Sequence, residues 1–449
     1  MLYRKIESII EKHLKSDSQK ILLIDGAHQI GKTFIARYVG NKLFENFIEV
    51  NMIEDSESER LFANVRTVED FYLQLSVLHG EKMKKKENTL IFIDEIQAYP
   101  HLLTMLKFLA QDNKFTYIAS GSMLGVTLAQ TSSIPMGSIR KIRMFPLDFE
   151  EFLYANGVNE IVINSMKKKF ENLEPLEENL HLKIMDLFKK YLIVGGLPDV
   201  VNSFLETKNV HTIREIQKEI YEYYLSDASK YGEDNKLKIR RIYEMIPSNM
   251  ENKKKRVIAK EVENKKGKTH NDYADEFEYL ISAGIALNVQ AISDPRFPLI
   301  ISDSKNLLKL YLNDAGILTN ILYGENINAI MNDIESINLG SVYETAVASE
   351  LIAHGHKLYY YDNRNKGEVD YLIDDYESLS AVPVEVKSGK DYTIHSALNN
   401  LVQSDSYNIK KAYVVSNERE VFSKGIIHYI PIYYIMFFGS GSTDNSLLL

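Results

Sequence analysis

Two hydrophobic patterns alternate through the first 150 residues. Short apolar-rich runs occur at Ile21–Ile24, Phe47–Asn51, Thr89–Ile93 and Phe115–Ala119. Between them lie stretches with helical spacing: Leu2, Ile6, Ile9 and Ile10, then Phe34 to Val39, then Val68 to Leu78. Strand-length apolar runs separated by amphipathic helices predict a parallel sheet covered on both faces, an α/β fold.

The pattern changes after residue 150. Leu180, Ile184, Leu187 and Phe188 keep a 3.6-residue period, as do Ile213, Ile216, Ile220 and Tyr224. Residues 151–235 therefore read as a helical lid, with Gly195-Gly196-Leu197-Pro198 as a joint. Residues 236–334 read as three helices (Ile239–Met245, Val257–Val262, His270–Ala283) before two strands (Ala286–Ile292, Leu299–Ile301). That is the order of a winged-helix module. Residues 335–449 read as a helix carrying Glu344, then strands Lys357–Tyr361, Glu368–Ile373 and Val382–Lys387. A helix Ser396–Val402 and a strand Lys411–Ser416 follow. The α-β-β-β-α-β order is that of a restriction-endonuclease-like core. Four domains are expected: 1–150, 151–235, 236–334 and 335–449.

Composition adds limits rather than identity. Apolar residues make up 45% and charged residues 26%, as in ordinary globular proteins. The formal net charge is −9, so any nucleic-acid contact must come from a local patch. There are no cysteines, which excludes disulfides and thiolate metal sites. Met1 to Lys20 lacks a signal-peptide core. Tyr429–Phe438 is too short to span a bilayer and contains Pro431. A cytoplasmic protein with no membrane partner is expected, and an oligomer is left open. Lys82–Lys86 reads as a solvated loop.

The chemistry sits at strand ends. Gly26-Ala27-His28-Gln29-Ile30-Gly31-Lys32-Thr33 follows one strand and opens a helix. This is the phosphate-binding loop in its required setting. The glycines let backbone N–H groups wrap an anion, and the helix adds its N-terminal donors. Lys32 can reach the β and γ phosphates, and Thr33 can ligate Mg²⁺. The implied cofactors are ATP and Mg²⁺. Thr89–Ile93 ends in Asp94-Glu95, where Asp94 would hold the metal and Glu95 would polarise the attacking water. Phe115–Ala119 ends in Ser120-Gly121-Ser122. Ser122 is the candidate reporter of the γ-phosphate, with Ser120 as the alternative.

These motifs together carry a resemblance. Gly26 to Thr33, Ile93-Asp94-Glu95-Ile96-Gln97, Ser120-Gly121-Ser122, Phe145-Pro146-Leu147-Asp148-Phe149-Glu150-Glu151-Phe152 and Tyr191 to Pro198 resemble a bacterial and archaeal group of AAA-type P-loop ATPases. That group carries a C-terminal domain of unknown function with a restriction-endonuclease-like core. The resemblance spans essentially the whole chain. One departure concerns the arginine finger: the group usually has Gly-Arg before the Pro-Leu segment. Here Gly137 precedes Ser138, and the nearest arginines are Arg140 and Arg143.

Two further constellations bear on partners. The supposed recognition helix carries Asp272, Asp275, Glu276 and Glu278, which repel phosphates. Lys253 to Arg256 and Lys265 to Lys268 lie in flanking loops. A protein-packing winged helix is favoured over a DNA reader. In the C-terminal domain, Glu385 and Lys387 lie two apart on a strand and point the same way, and Asp370 on the next strand can face them. Two carboxylates can hold Mg²⁺ against a scissile phosphate, Lys387 can stabilise developing charge, and Glu344 could add a ligand. Histidines are scattered; His354 and His356 lie in a loop before a strand and carry no metal reading.

Two functions are consistent with this sequence. In one, ATP turnover controls a nuclease acting on DNA or RNA. In the other, the ATPase is a switch or scaffold whose C-terminal domain only binds a protein or nucleic-acid partner.

Overall fold

The computed structural model describes residues 1–55, 60–122, 137–228, 236–252, 254–302, 304–332, 339–389, 391–404 and 406–439. Residues 56–59, Lys253 and the expected limits near 235 and 334 lie outside them. The chain forms two units. One comprises Arg4–Phe145 with Ser282–Ile285. The other comprises Met1–Tyr3, Pro146–Ile281 and Ala286–Leu449.

The first unit is built on five parallel strands: β1 (Ile21–Asp25), β2 (Asn46–Asn51), β3 (Thr89–Asp94), β4 (Thr116–Gly121) and β5 (Ile139–Arg143). Their order is β2-β3-β4-β1-β5. Every residue of β1 and β3 is buried, as expected of strands covered on both faces. Helices α1 (Lys5–Leu14), α2 (Lys32–Leu43), α3 (Val68–His79) and α4 (Pro100–Asp112) belong to the same unit. In α1 the buried positions are Ile6, Ile10 and His13. Helix α3 opens with a reciprocal cap between Thr67 and Asp70, which fixes its start. The edge strand β5 was not expected. Arg140, Lys141 and Arg143 are exposed, so its apolar pattern is too thin to read as a strand. The basic run Lys82–Lys86 falls where two single-turn 3₁₀ segments, Gly80–Lys82 and Lys86–Asn88, precede β3.

Register sets the functional edge. Asp25 pairs with Gly121, and Ile93 pairs with Ala119. The carboxyl ends of β1, β3 and β4 are therefore level, which is where open α/β sheets hold ligands.

The second unit begins with helices Phe149–Ala155, Glu160–Glu171, Glu178–Val194, Pro198–Thr207 and Val210–Ala228. Gly195 and Gly196 break the helical run at a fixed crossing. A Cβ on Gly196 would lie 2.1 Å from the Leu147 carbonyl oxygen, and one on Gly195 would lie 2.1 Å from Asp314 Oδ1. Gly196 N–H donates to Asp314 Oδ2 at 2.7 Å. Asp314 also caps the helix Ala315–Tyr323 by accepting from Ile317 N–H. Burial pushes the Asp314 carboxyl up to about 6, against the pull of those backbone donors. The segment expected as a joint is thus pinned on both sides.

Helices Lys236–Glu251, Ala259–Val262 and Ala274–Ser282 stand where three helices were expected. Leu299–Ile301 is a 3₁₀ turn, not a strand. The second strand is β7 (Ser304–Leu312), antiparallel to β6 (Ala286–Ile292). A single turn with three apolar residues has the composition of a short strand, so local pattern misplaces it. Two of the four acids near the third helix have local work. Asp272 and Thr269 form a reciprocal cap, and Glu276, buried, lies 3.5 Å from Lys238.

The expected division at 334/335 does not divide the sheet. β6 pairs in parallel with β8 (Tyr359–Asn363). The hairpin is continuous with β9 (Gly367–Asp375), β10 (Ser380–Val386), β11 (Ala412–Ser416), β12 (Phe422–Lys424) and β13 (Ile427–Pro431). The eight strands run β12-β13-β11-β10-β9-β8-β6-β7. Pairing between segments so far apart in sequence leaves no mark in local composition. The helix Gly340–Ala353 and the helix Ser396–Val402 complete the α-β-β-β-α-β order.

Candidate functional site

The loop between β1 and α2 is shaped by backbone that only particular residues tolerate. Gly31 precedes α2 with φ +90°, and Gln29 also has positive φ, +64°. A Cβ on Gly26 would lie 2.4 Å from the Met144 carbonyl oxygen and 2.5 Å from Ile30 Cδ1. Glycine at that position lets β5's exit and the loop approach closely. Arg4 braces the far side, donating to the carbonyls of Ile30 at 3.0 Å and Phe145 at 2.6 Å. The buried Lys32 ammonium donates to the carbonyls of Gly26 at 3.0 Å and Ala27 at 2.8 Å.

Three strand ends then converge. The Thr33 hydroxyl donates to Asp94 Oδ2 at 2.7 Å. Asp94 Oδ1 accepts from the Ser120 hydroxyl and, at 3.1 Å, from Glu95 N–H. Glu95 sits in the left-handed region with φ +53°, which turns the chain sharply out of β3. Gln97 Nε2 donates to Glu95 Oε2 and to Ser122 Oγ, the latter at 3.1 Å. Ser122 Oγ lies 2.6 Å from His28 Nε2, and His28 Nδ1 lies 3.9 Å from Glu95 Oε1. Lys32, Thr33, Asp94, Glu95, Ser122 and His28 thus share one edge. Ser120, the alternative to Ser122, is committed to Asp94. Gln97 was quoted from the sequence without a role, yet it bridges Glu95 and Ser122. An amide two residues after an acidic strand end was its signal.

The donor set suits a magnesium nucleotide. Thr33 and Asp94 offer hard oxygens, and the Lys32 ammonium, held on the Gly26 and Ala27 carbonyls, offers a cation at the loop.

The second unit gathers its own charged group. Val384 pairs with Tyr371, and continuing that register sets Glu385 opposite Asp370. Asp370 Oδ2 accepts from Val386 N–H at 2.9 Å. Lys387 Nζ lies 2.9 Å from Glu385 Oε1. Glu385 Oε2 is buried without a hydrogen-bond partner among the described residues. Burial, then Asp370, pushes the Glu385 carboxyl up to about 8, and Lys387 only partly offsets this. Glu344 is raised as well, by burial and then Asp370. Its oxygens are already engaged: Lys255 reaches Oε1 and the Tyr311 hydroxyl donates to Oε2 at 3.1 Å. Lys309 was missed. It is fully buried on β7, 2.6 Å from Glu368 Oε1. A lysine flanked by leucines inside a strand was its signal. Asp370, Glu385 and Glu344 do not hold their oxygens in one tight cluster. Among the described residues the group that does is Asp148, Glu350 and His354.

Residues 18–153 match the family model of an AAA domain. Residues 185–327 and 339–435 match models of two domains of unknown function, DUF8612 and DUF4143. No curated protein matches the chain. Among solved structures, the Walker-type ATPase paby2304 of Pyrococcus abyssi is 14% identical, with 71% of this chain and 95% of that chain covered and a TM-score of 0.42. The Aeropyrum pernix Orc1 protein, solved in complex with DNA, is 13% identical, with coverage of 72% and 94% and a TM-score of 0.32. The Hsp104–ADP complex of S. cerevisiae is 13% identical, with coverage of 63% and 37% and a TM-score of 0.29. On the family model alone, residues 18–153 are similar to an AAA domain. The models matched beyond it name no activity, so the nuclease-like reading rests on this chain's own residues. No helix among the described residues is long and apolar enough to cross a membrane.

Proposed function

We propose that the first unit binds ATP with Mg²⁺ and hydrolyses it, and that its nucleotide state controls the C-terminal sheet. The connected set of Thr33, Asp94 and Ser120 beside Glu95, Gln97, Ser122 and His28 carries this reading. Lys32 holds the β and γ phosphates, and the loop backbone from Gly26 to Gly31 wraps them. Thr33 and Asp94 hold the metal. Magnesium, when bound, offsets charge on the phosphate oxygens. Glu95 accepts a proton from the attacking water, and Gln97 keeps its carboxylate turned toward Ser122. Ser122 and His28 form a polar pair that reads the terminal phosphate. Phosphate release from ATP by the full chain tests the reading. Turnover in the parent and its loss in Lys32→Ala are expected; equal rates in both would place hydrolysis elsewhere.

A second activity is favoured by the unpartnered Glu385 Oε2 between Asp370 and Lys387. A buried carboxylate with a raised pKa is a group that a cation would return to its charged form. Asp370 and Glu385 hold Mg²⁺ in this reading, and Lys387 stabilises charge developing on a phosphodiester of DNA or RNA. Glu344, engaged by Lys255 and Tyr311, contributes negative field rather than a ligand oxygen. Cleavage of labelled DNA and RNA with Mg²⁺, with ATP, ADP or neither, tests this. No cleavage in any state leaves the sheet as a surface that binds a partner under nucleotide control.

A further inference from the structure

We propose that Asp148, Glu350 and His354 form a zinc-class metal site that staples the start of the helix Phe149–Ala155 to the end of the helix Gly340–Ala353. One ligand atom from each of the three lies within 4.8 Å of the others, and the site is buried. Asp148 is 6% and Glu350 1% exposed, and the His354 side chain is 10% exposed.

The orientation of each side chain is fixed by its other atom. His354 Nδ1 lies 3.1 Å from the Phe438 carbonyl oxygen. A carbonyl only accepts, so Nδ1 carries a proton, and Nε2 is the nitrogen turned to the carboxylates. This is the second contact that metal-bound histidines ordinarily make. Asp148 Oδ1 accepts from Glu151 N–H at 2.9 Å, capping the helix. Glu350 Oε2 accepts from Phe149 N–H at 3.0 Å. Asp148 Oδ2 and one Glu350 oxygen, Oε1, then stand 3.4 Å and 3.5 Å from His354 Nε2.

Those two separations decide between readings. A charge-assisted N–H···O bond shortens to roughly 2.7–2.9 Å. Ligands at about 2.0–2.1 Å from a tetrahedral zinc stand ~3.3–3.4 Å apart, the edge of the tetrahedron. Both separations are near that edge and longer than an imidazolium ion pair. The site also lies in an acidic, buried setting. The Tyr191 phenol is held well above its ordinary range by burial, then by Glu350, Asp314, Asp148 and Glu151. One imidazole nitrogen and two carboxylate oxygens form a borderline donor set that suits zinc, with water completing the fourth position.

The experiment uses the full chain, stripped of metal by a chelator that is then removed, and zinc alone as the probe. Competition against a chromophoric chelator should report one tight site, and added zinc should raise the thermal midpoint by several degrees. His354→Asn should weaken that site beyond the ~10–100-fold expected of an outer-shell change, and should abolish the thermal shift. Asp148→Asn keeps a good helix cap and should likewise lose zinc. Equal zinc binding by the parent and His354→Asn would overturn the site, because zinc would then be held by other acids. No zinc binding by the parent would make the cluster an ion-paired joint and overturn it too. If neither variant folds, zinc-edge X-ray absorption of the parent decides. Imidazole scattering with ligands at about 2.0–2.1 Å is expected, and an all-oxygen shell contradicts the proposal.

Discussion

The Thr33 hydroxyl donates to Asp94 Oδ2 at 2.7 Å, tying the first turn of α2 to the end of β3. The two groups that would hold the metal of a magnesium nucleotide are thus already side by side. Thr33→Val removes the hydroxyl and keeps the shape. Loss of a group that ligates or orients a metal typically costs about 10- to 100-fold in metal affinity, so Mg²⁺-dependent ATP affinity should fall by about that factor. Titration with a fluorescent ATP analogue, with and without Mg²⁺, checks this. The loss should be confined to the Mg²⁺ condition.

Gly26→Ala should damage both fold and site. Its Cβ would press on the Met144 carbonyl, which is backbone and cannot swing away. Overpacking of this kind costs about 1–3 kcal/mol. The urea midpoint should drop accordingly, and ATP binding should be lost. A variant as stable as the parent would mean that the loop relaxes freely.

Particular residues explain how far the sequence could be read. The parallel sheet was legible because β1 and β3 are buried on both faces and read as unbroken apolar runs. The loop from Gly26 to Thr33 was legible because anion wrapping needs glycine, lysine and hydroxyl at fixed spacing. Strand β5 was not, since an edge strand with three exposed basic residues looks like a loop. The continuity of β6 with β8 was hidden because strand pairing at long range has no local signature. His354 was set aside as a loop residue, but it ends the helix Gly340–Ala353, one turn after Glu350. Only folding brings Asp148 to it across some two hundred residues.

The Glu385 carboxyl gives the second unit a pH dependence. Its folded pKa is raised from 4.5 to about 8, so the folded state holds the proton more tightly than the unfolded chain. Stability from this group is fully present below the unfolded value and is lost as pH rises through about 8. Asp314 and Glu344, also raised, act in the same direction. Comparing urea midpoints of the parent and Glu385→Gln between about pH 5 and pH 9 isolates its share. The parent should lose stability more steeply. Parallel curves would mean that Glu385 titrates as in the unfolded chain.

Asp370→Asn and Lys387→Ala should each abolish Mg²⁺-dependent cleavage of DNA or RNA while leaving ATP hydrolysis in place. In the proposed site Asp370 would supply an oxygen to the metal and Lys387 a charge to the phosphate; both belong to the second unit, whereas Gly26–Thr33 belong to the first. Gel assays of labelled substrates beside a phosphate-release assay check both halves. Cleavage that persists in both variants would assign the activity to other residues.

The most direct test of the account is Glu95→Gln. Glu95 leaves β3 in a left-handed turn and is held by Gln97 beside Ser122. The amide keeps the shape and the Gln97 contact but cannot take a proton from water. Single-turnover hydrolysis of ATP, measured with ATP binding in the same samples, should show affinity preserved and the rate reduced by roughly 10²–10⁴-fold, the contribution of a positioned base. Hydrolysis at the parent rate in Glu95→Gln would contradict the assignment of this strand-end network as the catalytic centre.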